Sequence, residues 1–173
     1  MSANNSTLDS IPSTATSLEN RLRPTACNHL RTWLRYLSCG RLIENEIRSR
    51  LRREFQTTLP RYEVMAQLEQ FPQGIKMSEL SKHLMVTNGN ITGIAHQLIK
   101  EGLIQRTTQS DDRRSSLLSL TDKGRAQLTT ISDAHNEWVC SVFGQLSNEH
   151  IDQMMAGLEQ LKKHSQQFSS VAH

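Results

Sequence analysis

The stretch Met77-Ser78-Glu79-Leu80-Ser81-Lys82-His83-Leu84-Met85-Val86-Thr87-Asn88-Gly89-Asn90-Ile91-Thr92-Gly93-Ile94-Ala95-His96-Gln97-Leu98-Ile99-Lys100-Glu101-Gly102-Leu103-Ile104 decides the fold. Leu80, Leu84, Ile91, Ile94 and Leu98 recur at spacings that turn them toward one core, so short helices are expected over Met77 to Leu84 and from Asn88 to about Glu101. Only Met85-Val86-Thr87 separates them, and Thr87 stands where an N-cap would accept from the first free N–H groups of the second helix. Gly102 follows the last periodic turn as a helix stop. Leu103 to Thr108 then has the β-branched content of a strand, Gln109-Ser110-Asp111-Asp112-Arg113-Arg114 reads as a polar tip, and Leu118-Ser119-Leu120 alternates as the return strand.

Downstream, Thr121-Asp122-Lys123-Gly124 opens a helix carrying Leu128, Ile131, His135, Trp138, Val142 and Leu146 at helical spacing. Ser147 caps a last helix with Ile151, Met154, Met155, Leu158, Leu161 and Phe168 as its stripe. Upstream, Pro72-Gln73-Gly74 breaks the chain after a helix that begins near Pro60 and turns Val64, Leu68 and Phe71 inward. Gln56-Thr57-Thr58 parts that helix from a long one over Asn28 to Phe55, where Leu30, Trp33, Leu34, Leu37, Ile47, Leu51 and Phe55 share a broad face. The expected class is mainly α with a small β-hairpin wing. A winged helix-turn-helix lobe for binding DNA is expected over 60–120, a helical dimerisation region over 25–59 and 121–170, and a disordered tail over 1–24.

Composition limits the function classes. The chain has 173 residues, enough for one domain with appendages but not for a large multidomain enzyme. Its net charge of +3 is mild, yet ten Arg against Glu44, Glu46 and Glu54 between Arg21 and Arg61 give a local +7. Eleven of the first twenty residues are Ser, Thr or Asn, with no basic residue and no apolar run to make a secretory signal. No apolar run approaches the roughly 20 residues that span a bilayer, so a cytoplasmic protein without a membrane partner is expected. Cys27, Cys39 and Cys140 form no CxxC pair, and reduced, buried thiols are expected. No metal site or cofactor is expected. Nor is catalysis, since Gly-x-Ser-x-Gly, Gly-x-x-x-x-Gly-Lys and His-Glu-x-x-His are all missing, and His135 and Glu137 have no Cys-x-x-Cys after them.

A helix pair followed by a hairpin with a charged tip places its second helix in the major groove of double-stranded DNA. Thr87, Asn88, Asn90 and Thr92 occupy the early positions of that helix, His96 and Gln97 lie one turn on, and Ser78 on the preceding helix joins the candidate set. Asn can exchange two hydrogen bonds with adenine, and a Thr methyl can pack on that of thymine. Gly89 and Gly93 weaken the helix by roughly 1 kcal/mol each relative to Ala and suit close backbone approach to phosphate. At the hairpin tip, Arg113 or Arg114 is long enough to enter a minor groove, with Asp111 or Asp112 orienting the other.

These stretches together resemble the MarR family of bacterial transcriptional regulators. The resemblance rests on Met77 to Ser81, Val86 to Thr92, Leu98 to Ile104, and Asp111-Asp112-Arg113-Arg114 through Leu120-Thr121-Asp122-Lys123-Gly124. It covers about Leu30 to Phe168 and implies a homodimer whose first and last helices interlock, binding a pseudo-palindromic operator and released from it by a small molecule.

Leu59-Pro60-Arg61-Tyr62-Glu63-Val64-Met65-Ala66-Gln67-Leu68 is similar to family members that control aromatic-acid catabolism. That similarity implies a hydroxybenzoate, a hydroxycinnamate or a coenzyme A thioester as effector. An aromatic carboxylate needs an apolar slot edged by cationic donors, for which the arginine fork is suited. Arg41 and Arg48 one heptad apart, Arg61 and Tyr62 at the start of the second helix, and His29 and Trp33 near the start of the first form the candidate ligand set. Two rivals share the DNA-binding fold. In a redox sensor, Cys27 or Cys39 would react beside Arg23, His29, Arg35 or Arg41, although the tyrosine pair of that branch is not evident. The other is an architectural DNA binder without a ligand.

Overall fold

The computed structural model describes residues 27–84, 88–109 and 112–171, with the backbone alone at 88–90, 108–109, 112–115 and 168–171. The expected cap at Thr87 and part of the hairpin tip therefore lie outside the described residues, as does the tail. Helix α1 spans Asn28–Phe55, α2 Leu59–Glu69, α3 Met77–Leu84, α4 Asn88–Lys100, α5 Asp122–Phe143 and α6 Asn148–Val171. Three strands, β1 (Ile75–Lys76), β2 (Ile104–Gln109) and β3 (Asp112–Leu120), form an antiparallel sheet in the order β1-β3-β2. The class is mainly α with a small sheet, as the periodicity predicts.

By compactness the chain divides within α1, into residues 1–49 and 50–173. In the first unit the start of α1 leaves its apolar side chains open: Leu30, Trp33, Tyr36 and Leu42 are exposed, with Trp33 stacked on Tyr36 at 6.0 Å between ring centroids.

The second unit carries the core. Val64, Met65 and Leu68 of α2, Leu80 of α3, and Ile91, Ala95 and Leu98 of α4 pack with Ile75, Leu103, Ile104, Leu118 and Leu120 of the sheet region. Leu128 of α5 joins the same core, so the helix after the hairpin is built onto the winged lobe from its first turns.

Local chemistry sets the boundaries. Helix α1 stops at Gln56, which takes a left-handed φ of 50° while Thr57 N donates back to Leu51 O at 3.2 Å. Gly74, with φ of 88°, turns the chain into β1. Gly102, with φ of 70°, ends α4, and Leu103 N returns to Leu98 O at 2.9 Å. Thr121 caps α5, accepting from Gly124 N at 3.0 Å while its own hydroxyl donates to Gly102 O at 2.7 Å. Ser147 Oγ accepts from His150 N at 3.3 Å at the start of α6, as expected of that serine.

Three expectations are corrected. β1 pairs Ile75 with Leu118 and Lys76 with Leu117, making β3 the middle strand of a three-stranded sheet. Two residues between a turn and a helix carry no alternation of their own, and the pairing is supplied by β3. β3 begins at Asp112, so Arg113 and Arg114 stand on a strand backbone where a longer irregular tip was expected, with a register shift at Thr108/Gln109. Cys27, Cys39 and Cys140 are exposed in the single chain, where buried thiols were expected. Cys140 lies on the outward side of α5, its sulfur 3.9 Å from Asn136 Oδ1, whereas Trp138 two residues earlier is buried.

Candidate nucleic-acid interface

Helix α4 separates its faces cleanly. Ile91, Ala95 and Leu98, at four- and three-residue steps, are wholly buried, while Thr92, His96 and Gln97 are exposed on the other side. A Cβ at Gly93 would meet nothing within 4 Å, so no packing inside the chain demands glycine there. The backbone is therefore left open on this side of the helix. Asn88 and Asn90 fall in the first turn of α4, and Ser78 is exposed in the first turn of α3.

Alongside this helix pair stands the hairpin. Arg106 on β2 is exposed and donates across the sheet from Nε to Ser116 Oγ at 2.6 Å. Arg106 was not singled out from the sequence, because within a short strand nothing marks it except its charge. Arg113 and Arg114 follow Asp112 along the β3 backbone toward the sheet.

The rear end of α4 is tied down by polar contacts. Arg61, at the start of α2, donates from Nη1 to Glu101 Oε1 at 2.9 Å and from Nη2 to Glu101 Oε2, and its Nη1 also lies 3.4 Å from Gln97 Oε1. The Arg61 side chain is only 15% exposed, against 47% for Glu101, and its Nε is buried without a hydrogen-bond partner among the described residues. Arg61's hydrogen bonds hold the Glu101 carboxyl below its usual range, against the raising effect of partial burial, and the charges of Arg61 and Lys123 add to the lowering. Lys123 Nζ donates to Glu101 O at 2.8 Å, placing a cation at the negative end of α4. Arg61 and Glu101 are forty residues apart, and no local spacing signals the pair.

The candidate ligand residues are distributed between the two units. His29, Trp33, Arg41 and Arg48 lie in the first; His29, Trp33 and Arg41 are exposed, and Arg48 is engaged by Glu44 through Nε at 2.9 Å and Nη2 at 2.5 Å. Arg61 and Tyr62 lie in the second. Tyr62 is half-buried, its hydroxyl 3.5 Å from Ser132 Oγ and its ring 5.1 Å from the His135 ring. His135 lies edge-on to Trp138, which also meets Phe55 at 6.0 Å and carries Arg50 over its ring at 5.8 Å. Burial holds His135 below its ordinary pKa, so this aromatic cluster favours the neutral imidazole.

Among the described residues no group of His, Cys, Asp or Glu could hold a metal ion, and no helix is long and apolar enough to cross a membrane. The model of the MarR family matches residues 57–116, from the end of α1 to the middle of β3. The HTH-type transcriptional regulator YkoM of Bacillus subtilis (strain 168) is 31% identical over 91 residues, which are 53% of this chain and 59% of that protein. The first curated relatives matched are thus spanned over roughly half their length. A MarR family transcriptional regulator from Silicibacter pomeroyi, known from its crystal structure, is 30% identical with a TM-score of 0.67, over 80% of this chain and 95% of that one. AbsC, a MarR family transcriptional regulator from Streptomyces coelicolor, has the same fold at 20% identity, with a TM-score of 0.71 over 84% of this chain and 99% of that one.

Proposed function

The chain belongs to the MarR family of transcriptional regulators, and from that premise we propose that it is a ligand-responsive repressor acting as a homodimer on a pseudo-palindromic operator. Its relatives and its fold are those of DNA-binding regulators, not enzymes. The observation that carries the reading is the two-faced α4, with an apolar side sealed in the core and a polar side of Thr92, His96 and Gln97 left open beside the hairpin. Thr87, Asn88, Asn90, Thr92 and His96 read base edges, Ser78 supports them from α3, and Arg113 and Arg114 contact the duplex from the wing. Homodimerisation is supported by apolar side chains exposed in the single chain: Leu30, Trp33 and Tyr36 on α1, Val142 on α5, and Met154, Met155, Leu158 and Leu161 on α6. In a dimer related by a two-fold axis, the recognition helices address half-sites about 34–36 Å apart. Footprinting is expected to show two protected half-sites one helical turn apart, and protection of a single half-site by a monomer would refute the dimeric reading.

The effector we propose is an aromatic acid or its coenzyme A thioester. Support comes from the similarity of Leu59 to Leu68 to regulators of aromatic-acid catabolism, and from the supply of cations and rings in His29, Trp33, Arg41, Arg48, Arg61 and Tyr62. Arg48 and Arg61 already face Glu44 and Glu101, so an anionic ligand taken up by either must share or displace a carboxylate. Release requires the ligand to favour the conformation that does not fit the operator, because equal affinity for both shifts nothing. A 100-fold loss of operator affinity corresponds to about 2.7 kcal/mol of coupling. Calorimetric titration of hydroxybenzoates, hydroxycinnamates and their thioesters is expected to show binding that Arg41→Ala and Arg48→Ala each weaken at least roughly 10-fold, about the loss of one charge-assisted hydrogen bond. Normal binding in both variants would remove these arginines from the site.

A further inference from the structure

We propose that Arg61 and Glu101 form a positioning pair that fixes the rotation and axial register of α4, and so the aim of its exposed face. The inference rests on the reading of α4 as the helix that contacts bases. It gives Arg61 a task in the ligand-free protein, separate from any part in effector binding.

α4 meets the core through Ile91, Ala95 and Leu98, with Ile94 and Ile99 packed at its edge; this burial decides which face of α4 turns outward, but being non-directional it sets that face more coarsely than a hydrogen-bonded contact would. Ala95, the middle contact, has the smallest side chain of the three, and Gly93 touches nothing across the helix. Directional contacts hold the C-terminal end of α4. The Arg61 fork holds both oxygens of Glu101, and the same guanidinium lies near Gln97, one turn back along α4. Two points at this end of the helix, Gln97 within it and Glu101 just past Lys100, held by one planar group, define a rotation as well as a position. The guanidinium is itself held, because most of the Arg61 side chain is buried at the start of α2, whose Val64, Met65 and Leu68 belong to the core. Lys123 on the Glu101 carbonyl and Thr121 on the Gly102 carbonyl fix the same end against α5. Helix α4 spans 13 residues, about 18 Å at 1.5 Å per residue, so its base-contacting first turn is aimed from an anchor at the far end.

The test uses the full chain with Arg61→Lys, Glu101→Gln and the double variant. Each is measured by thermal unfolding and by affinity for the operator and for unrelated DNA of equal length. Lysine keeps the charge of Arg61 and loses the planar fork; glutamine keeps the shape of Glu101 and loses its charge. Each single variant is expected to lose roughly 10-fold in operator preference over unrelated DNA, with binding to unrelated DNA nearly unchanged and a single cooperative unfolding transition retained. The double variant is expected to lose no more than either single one, as for two residues acting as a unit. Losses that multiply in the double variant overturn the proposal. So does a lowered Tm with operator preference intact, which would make the pair a fold contact only. Thr92→Ala and His96→Ala are measured alongside. If these leave operator preference unchanged, the reading of α4 as the base-contacting helix has failed and the proposal falls with it; if they reduce it while the Arg61 and Glu101 variants do not, the positioning proposal alone is wrong.

Discussion

Replacing Gly124 by alanine is expected to destabilise the protein by about 3 kcal/mol or more, at the upper end of what overpacking costs. Two effects oppose each other at this position. Gly124 lies in the first turn of α5, where alanine has the higher helix propensity by about 1 kcal/mol. An added Cβ, however, would sit 1.9 Å from Leu103 O, and both that carbonyl and its neighbours are backbone. Leu103 O already accepts from Thr121 N at 3.1 Å, and Gly124 N donates to the Thr121 hydroxyl, so neither side of the contact can retreat without losing the cap. The clash therefore outweighs the propensity gain. Thermal unfolding should show a Tm lower by on the order of 10 °C for a chain of this size. An unchanged or raised Tm would show that α5 can draw back from the end of α4, contrary to the tight packing described.

Leu98→Ala is the second large effect, expected at about 2–5 kcal/mol because the side chain is wholly buried and its removal leaves a cavity in the shared core. Leu98 also supplies the carbonyl to which Leu103 N returns past Gly102, so it sits where α4 is closed off. Urea unfolding should move to a lower midpoint with little change in slope, since the surface exposed on unfolding hardly alters. A loss below about 1 kcal/mol would mean that the core closes over the gap, as well-packed interiors rarely do.

Much of the architecture was legible because it is written locally. α1 and α3 run over the residues their apolar spacing predicts, the helix opened by Thr121 to Gly124 begins there, and the cap at Ser147 and the stop at Gly102 are single-residue signals with a direct backbone cause. The start of β3 was not legible, because Asp112, Arg113 and Arg114 have the composition of a turn, and the strand begins there through the pairing of Asp112 with Gln109 of β2 across a register shift. β1 is two residues long and owes its existence to Leu117 and Leu118, more than forty positions away. The exposed face of α4 followed from its period, since burial of Ile91 and Leu98 dictates that Thr92 and His96 point outward. The partner of Arg61 did not follow. From the sequence it stands out as a cation opening a helix, suited to an anionic ligand; in the fold its fork is filled by Glu101, a residue brought there by the packing of α2 against α4. Side chains with long reach are the least predictable part of such a site, because their partners are chosen by topology and not by neighbours in the chain.

The short strand β1 changes the mechanics of the hairpin. Leu117 and Leu118 are paired on both sides, to Thr107 and Arg106 of β2 and to Lys76 and Ile75 of β1, while the described pairing from Ser116 outward to Asp112 is to β2 alone. The hairpin is thus a cantilever clamped at Leu117–Leu118, with about 13 Å of strand from Leu117 out to Arg113 at 3.3 Å per residue. Gly74 backs the clamp: a Cβ there would come within 2.9 Å of Leu117 Cβ, so the turn lies against the fixed point as closely as glycine allows. Load applied near the free end is carried into the turn that follows α2 and not into β2 alone. The helix that bears Arg61 at one end thus has the root of the wing at its other, and bending the hairpin and tilting α4 act on opposite ends of the same beam.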